Sequence, residues 1–287
     1  ETKSGRQAIR GRMFIDCSGD ADLAVWAGAP YDIGSDDGFI AYPTMMFRLN
    51  AVDDERARTE GKPALNQLMT EAARSGDYEL PRKAGIMGIQ HHPGEWRANL
   101  TQVSRNGAPI NGADADDLTF AEIEGRRQVV EYHRFLKDRV PGFEKSYILE
   151  TAPQIGIRET RRIRGDFQLT SEDILGCVDF EDRIGANGWP LETHILGGMK
   201  FVFLEGRGYH QIPFRCAVPA GVDNLLVAGR CASTTAEEQA SLRVSGPCFA
   251  LGQADGTAAA MVAGGDGRNR DISIPALQEK LEQDGVW

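Results

Sequence analysis

The sequence has no unbroken run of about 18 apolar residues, so it contains no candidate membrane-spanning helix. Its first residues, Glu1-Thr2-Lys3-Ser4-Gly5-Arg6, are polar and lack the apolar core of a secretory leader. Cysteine is sparse: residues 17, 177, 216, 231 and 248 form an odd, scattered set without a C-x-x-C pair. That excludes a disulfide scaffold and a thiolate zinc site, and points to a reduced, cytoplasmic protein. The five histidines (91, 92, 133, 194 and 210) show no H-E-x-x-H spacing, so no metal site is expected. Positive charge is in deficit: 32 Lys and Arg against 42 Asp and Glu leave a net charge of −10, which argues against nucleic acid as a partner.

With 41% hydrophobic and 26% charged residues, the composition is that of a globular chain. Glycine is in excess, 33 of 287 residues, about 11% against a usual value of roughly 7%. Such a chain needs many tight turns or close backbone approaches. At about 150 residues per domain, the length suggests two domains or one large α/β unit with an insertion.

Periodicity marks the elements. Residues 11–17 read as a buried strand ending in the turn cluster Ser18-Gly19-Asp20, followed by a short helix from Ala21 that Gly28 stops. A strand is predicted over 42–49, a helix over 63–74 with Leu65, Leu68, Met69 and Ala72 on one face, and two strands around Pro93-Gly94 within 85–103. The clearest amphipathic helix spans 117–138, with a stripe of Leu118, Ala121, Gly125, Val129, Tyr132 and Leu136. Residues 147–169 are extended but interrupted near an arginine cluster. Leu225 to Gly229 is an apolar run ending in turn chemistry, 247–262 a helix of small residues, and 274–283 a closing helix with Pro275 in its first turn.

Two segments carry chemistry. Phe14-Ile15-Asp16-Cys17-Ser18-Gly19-Asp20 and Asn224-Leu225-Leu226-Val227-Ala228-Gly229-Arg230 each read as a strand ending in glycine and a polar residue. Open α/β sheets bind ligands at that edge. The small-residue helix after Ser245-Gly246-Pro247 can offer N–H groups and a positive dipole end to an anion. Together with Pro153-Gln154-Ile155-Gly156-Ile157-Arg158-Glu159-Thr160-Arg161-Arg162-Ile163, Ile212-Pro213-Phe214-Arg215 and Gly252-Gln253-Ala254-Asp255-Gly256-Thr257-Ala258-Ala259-Ala260, these motifs occur in the order found in FAD-dependent oxidoreductases of the glutathione-reductase-like fold, which the chain resembles over roughly 5–50 and 145–287.

The resemblance implies an α/β fold: an incomplete FAD-binding parallel-sheet domain (1–34 and 211–287) with an inserted mixed α+β substrate domain (35–210). It implies FAD as cofactor and hydride transfer with a small-molecule substrate. Cofactor contacts are expected at Ser18, Gly19, Asp20, Gly229, Arg230, Arg243, Ser245 and Gly246, and catalytic roles at His210 and Arg161, with Arg162 and His194 as further candidates. Each has a plainer reading beside it. Ser18 or Asp20 suits a helix N-cap, Gly229 an ordinary strand-to-turn glycine, the arginines a solvated surface, and a lone histidine a structural contact. Cys17 and Cys231 lie near the cofactor edge without the paired spacing of disulfide reductases. Asp255 stands where relatives carry a small apolar residue, and is expected to face solvent or pair with an arginine.

The family's G-x-G-x-x-G turn is missing from the sequence. The chain is therefore expected to be the C-terminal part of a flavoenzyme, whose N-terminal FAD-binding segment is a separate chain or a missing piece. A non-catalytic subunit of a split flavoprotein, a flavin monooxygenase and a homo-oligomer stay open.

Overall fold

The computed structural model describes residues 1–265 and 267–286. The chain forms two compact units: Glu1–Ile33, Arg161–Leu191 and Val202–Trp287 make the first, Gly34–Thr160 and Glu192–Phe201 the second. The fold is mixed α/β with small sheets. The first unit takes in residues 161–191 and 202–210, which sequence alone groups with the insertion. Strand pairing draws them there.

In the first unit, β1 (Phe14–Asp16) pairs in parallel with β12 (Leu225–Val227), Phe14 opposite Leu225 and Asp16 opposite Val227. β2 (Tyr31–Ile33) pairs antiparallel with β7 (Arg161–Ile163), and β8 (Arg183–Asn187) with β11 (His210–Pro213). The helices are α1 (Asp22–Trp26), α5 (Ser171–Leu175), α6 (Gln239–Leu242), α7 (Ser245–Val262) and α8 (Ile274–Gln283). β12 is buried on both faces. Leu226 packs with Leu251, Ala254 and Ala258 of α7 and with Leu277 and Leu281 of α8. Leu225 and Val227 pack with Ala21, Ala24 and Ile163. Such double burial is why the strand reads as an unbroken apolar run rather than an alternation.

The second unit is a four-stranded antiparallel sheet in the order β4 (Ile86–Ile89), β5 (Trp96–Asn99), β3 (Phe47–Asn50), β6 (Tyr147–Thr151). One face carries Phe47, Leu49, Met87, Trp96 and Ala98 into a core closed by α3 (Lys62–Ser75) and α4 (Ala115–Arg139). A short helix α2 (Asp54–Arg56) runs through a π-turn at Ala57–Gly61 into α3. Strands β9 (Leu191–Thr193) and β10 (Lys200–Val202) form a further ladder. The Asp114 carboxylate caps α4 by accepting from Asp116 N and Asp117 N, and Pro141 forces the extended backbone that ends it. The expected stripe holds except at Leu118, which is exposed. Gln128 goes inside instead, because its carboxamide accepts from Gln102 N and donates to Gln102 O.

Gly142 fastens the turn after α4. Its φ is +89°, and a Cβ there would lie 2.5 Å from Ala57 N. Gly107 has a similar φ of +83° with nothing within 4 Å of its Cβ position. Gly107→Ala should therefore cost only the left-handed backbone penalty, about 1 kcal/mol. Gly142→Ala should cost at least ~2 kcal/mol more, because packed backbone must move. The difference between their urea midpoints measures that close approach.

Candidate cofactor site

The parallel register brings the ends of β1 and β12 together. Asp16 is 2% exposed, and its carboxylate organises the turn after β1. One oxygen accepts from Ser18 N (2.9 Å) and Ser18 Oγ (2.7 Å), the other from Ala24 N (2.9 Å). Ser18 Oγ in turn accepts from Asp20 N and Asp22 N. Neither Ser18 nor Asp20 is the N-cap of α1. That place falls to Ala21, at φ 55°, with no side-chain cap. The serine hydroxyl, locked on Asp16, is used one turn earlier. Asp16 was not among the expected cofactor-site residues; its signal is a carboxylate closing an apolar strand immediately before a turn.

Across the pair, Gly229 turns with φ +103°, and Arg230 donates to Asp20 Oδ1 at 2.6 Å. Gly19 is buried, at φ +76°, and a Cβ there would touch the Arg230 guanidinium at 2.9 Å. Ser18, Gly19, Asp20, Gly229 and Arg230 thus form one cluster from segments about 210 residues apart. Gln239 Nε2 ties Arg230 O to α6. Arg243 ends α6, and after Val244 the chain starts α7 at Ser245.

An anionic dinucleotide needs backbone it can approach and N–H groups left to donate. A Cβ at Gly229 or Gly246 would meet nothing within 4 Å, so the space before both is open. The first turn of α7 has no side-chain cap, and Ser245 and Gly246 are exposed. The residues present fit a phosphate-bearing cofactor.

The remaining candidates lie elsewhere. His210 is fully buried: Nε2 meets Asn187 Nδ2 at 3.1 Å and Ser241 Oγ at 3.3 Å, and Nδ1 meets Gln211 O. Burial, with the Arg207 charge, pushes its pKa down against the pull of Gln211 O, so the ring is neutral near pH 7. Alternation along β7 splits the arginine cluster. Arg161 pairs with Asp22, Arg162 Nε donates to Thr234 O, and Arg164, on the open side, pairs with Asp32. Arg158 and His194 belong to the second unit. All five cysteines are free thiols. Surrounding protein, then the Asp255 and Asp16 carboxyls, push the Cys17 thiol up, which keeps it a poor nucleophile.

Asp255 neither faces solvent nor pairs with an arginine. It is fully buried on α7, and neither carboxyl oxygen has a partner among the described residues. Burial raises its pKa well above the usual carboxylate range. A carboxyl with a raised folded-state pKa binds its proton more tightly folded than unfolded. It therefore costs little stability below the unfolded value of about 3.9 and progressively more as pH rises above it. Asp255→Ala should stabilise the protein by on the order of 1–3 kcal/mol near pH 7, with a smaller gain near pH 4. Denaturant midpoints of both proteins across that interval test the sign.

No curated protein and no solved structure matches the chain. A family model, FAD dependent oxidoreductase, matches residues 1–281. That span holds both strand-end motifs, the cluster they build and the start of α7, and the chain belongs to the FAD dependent oxidoreductase family, whose cofactor is FAD.

Proposed function

We propose that this chain is the C-terminal part of a flavoenzyme that transfers a hydride between FAD and a small organic molecule. The observation that carries the reading is the cluster at the ends of β1 and β12, where Gly19 lies against Arg230, Arg230 pairs with Asp20, and the space before Gly229 is open. FAD, when bound, supplies a two-electron acceptor for the substrate's hydride, and a further acceptor then takes the electrons.

The chain's own residues bind and orient. Gly229 would give the pyrophosphate a close backbone approach, while Gly19 leaves room for the Arg230 guanidinium. Ser18 and Asp20 shape that turn, and Arg230, held by Asp20, keeps positive charge beside it. Ser245 and Gly246, with Arg243 just ahead of them, would offer N–H groups and a positive dipole end to the anionic edge of a reduced flavin. Arg161 stands outside that cluster, its guanidinium held by Asp22. His210, neutral and enclosed, acts as a positioning residue behind Asn187 and Ser241.

Two observations support a partner segment bearing the Gly-rich turn. The parallel sheet of the first unit has two strands, although parallel sheets are ordinarily wider and covered. Helix α7 is apolar nearly all round yet leaves Phe249, Gly256, Ala260 and Met261 exposed, the mark of a helix meant for burial.

The chain alone should therefore bind FAD weakly, and a supplied segment with a G-x-G-x-x-G turn should restore binding, read by flavin absorbance after gel filtration. Tight stoichiometric FAD on the isolated chain would overturn the split. In the flavin-loaded protein, Gly246→Pro removes one N–H and drives Ser245 out of helical geometry. Losing about 1–2 kcal/mol of charge stabilisation should lower the two-electron midpoint potential by roughly 20–40 mV. An unchanged potential at full occupancy means that α7 does not point at the ring.

A further inference from the structure

The second unit holds a cation whose bonding is incomplete. Arg82 is fully buried just ahead of β4. Its backbone is clamped by Tyr132: Arg82 N donates to the phenol oxygen, and the hydroxyl donates back to Arg82 O, both at 3.0 Å. Its Nη1 donates to Asn99 O and Asn99 Oδ1, each at 3.1 Å. Nε and Nη2 have no partner among the described residues. Those two nitrogens share one edge of the guanidinium and present parallel N–H bonds, the fork that a carboxylate fits with both oxygens.

A second guanidinium lies close by. Arg158 reaches the same Asn99 Oδ1 at 3.5 Å, after donating to Thr44 Oγ1 and Tyr42 O. The Glu192 carboxylate acts on Arg82 only from beyond ion-pair distance, and it holds His194 Nε2 at 3.0 Å. A guanidinium does not shed its proton on burial as lysine does, so an open fork in the interior calls for an anion. The hairpin tip at 195–198 rests beside it: Gly197 O accepts from Lys83 N, and Gln102 Oε1 accepts from Gly197 N. A ligand would reach Arg82 only with this tip, which carries Gly197 and Gly198 at its turn, lifted.

The geometry points to a carboxylate subsite at Arg82, seconded by Arg158, that takes the acid group of a small organic acid. The inference rests on the flavoenzyme reading for its substrate but makes that substrate a carboxylic acid. It also places the Glu192–His194 pair in the same unit as the anchored acid.

The test uses the full chain labelled with 15N at arginine Nε, titrated with acetate and succinate, and with chloride, inorganic phosphate and acetamide at matched ionic strength. The carboxylates should shift one buried Nε–H resonance saturably, and acetamide should leave it in place. Arg82→Lys keeps the charge but not the fork; it should remove that resonance and weaken succinate binding at least tenfold by calorimetry. Three results overturn the proposal: no buried resonance moves, chloride or phosphate moves it equally, or R82K retains the affinity. If R82K does not fold, the wild-type titration alone decides. Flavin occupancy is read separately by absorbance, so absent carboxylate binding in a flavin-loaded preparation counts against the subsite and not against the flavoenzyme.

Discussion

The first unit depends on a three-residue parallel register between segments that lie more than two hundred residues apart. Pairing Asp16 with Val227 sets two strand ends level, and the cluster at that edge follows from it. Ala228 N donates to Asp16 O, which extends the alignment into the turn. A shift by one residue would turn Leu226 from the α7 side to the α1 side and part Asp20 from Arg230. The fixed point is the Asp16 carboxylate. It is nearly dry and satisfied by three donors, two from the turn and one from α1. A carboxylate in that position ties local turn geometry to helix placement, and through the strand to the far end of the chain.

The long elements were legible because their chemistry is local. The helix at 115–139 shows its period over six turns, and α3 and α8 announce themselves with proline in the first turn. The hairpin around Pro93-Gly94 follows from turn residues between short apolar runs. The strand-end motifs were legible through resemblance, and the structure brings their residues together. What stayed hidden was long-range. The pairings of β2 with β7 and of β8 with β11 involve three to five residues each, too few for periodicity to mark, and they redraw the boundary between the units. His210 was expected to be catalytic; only the fold shows Asn187 and Ser241 at its Nε2 and Gln211 O at its Nδ1.

Charge in the interior was the other blind spot. Composition places arginine and aspartate outside, and many of these do form surface pairs. Arg82 and Asp255 break the rule in opposite ways. Asp255 can take up a proton and become a neutral passenger on α7. Arg82 cannot, so its charge persists. No spacing in the sequence separates these two from their solvated counterparts, because burial is decided by the helices and loops that close over them.

The double bond between Tyr132 and Arg82 has a geometric consequence. One phenol oxygen occupies both the donor and the acceptor of a single peptide residue, as a neighbouring strand would. Residue 82 is thereby excluded from the sheet, and β4 begins beyond it, at Ile86. Lys83 N and Gly85 N are likewise spent outside the ladder, on Gly197 O and Asn66 Oδ1, so the α4 contact is the first of three that precede β4. A ring buried for its apolar surface thus doubles as a backbone partner, tying α4 to the segment that leads into β4.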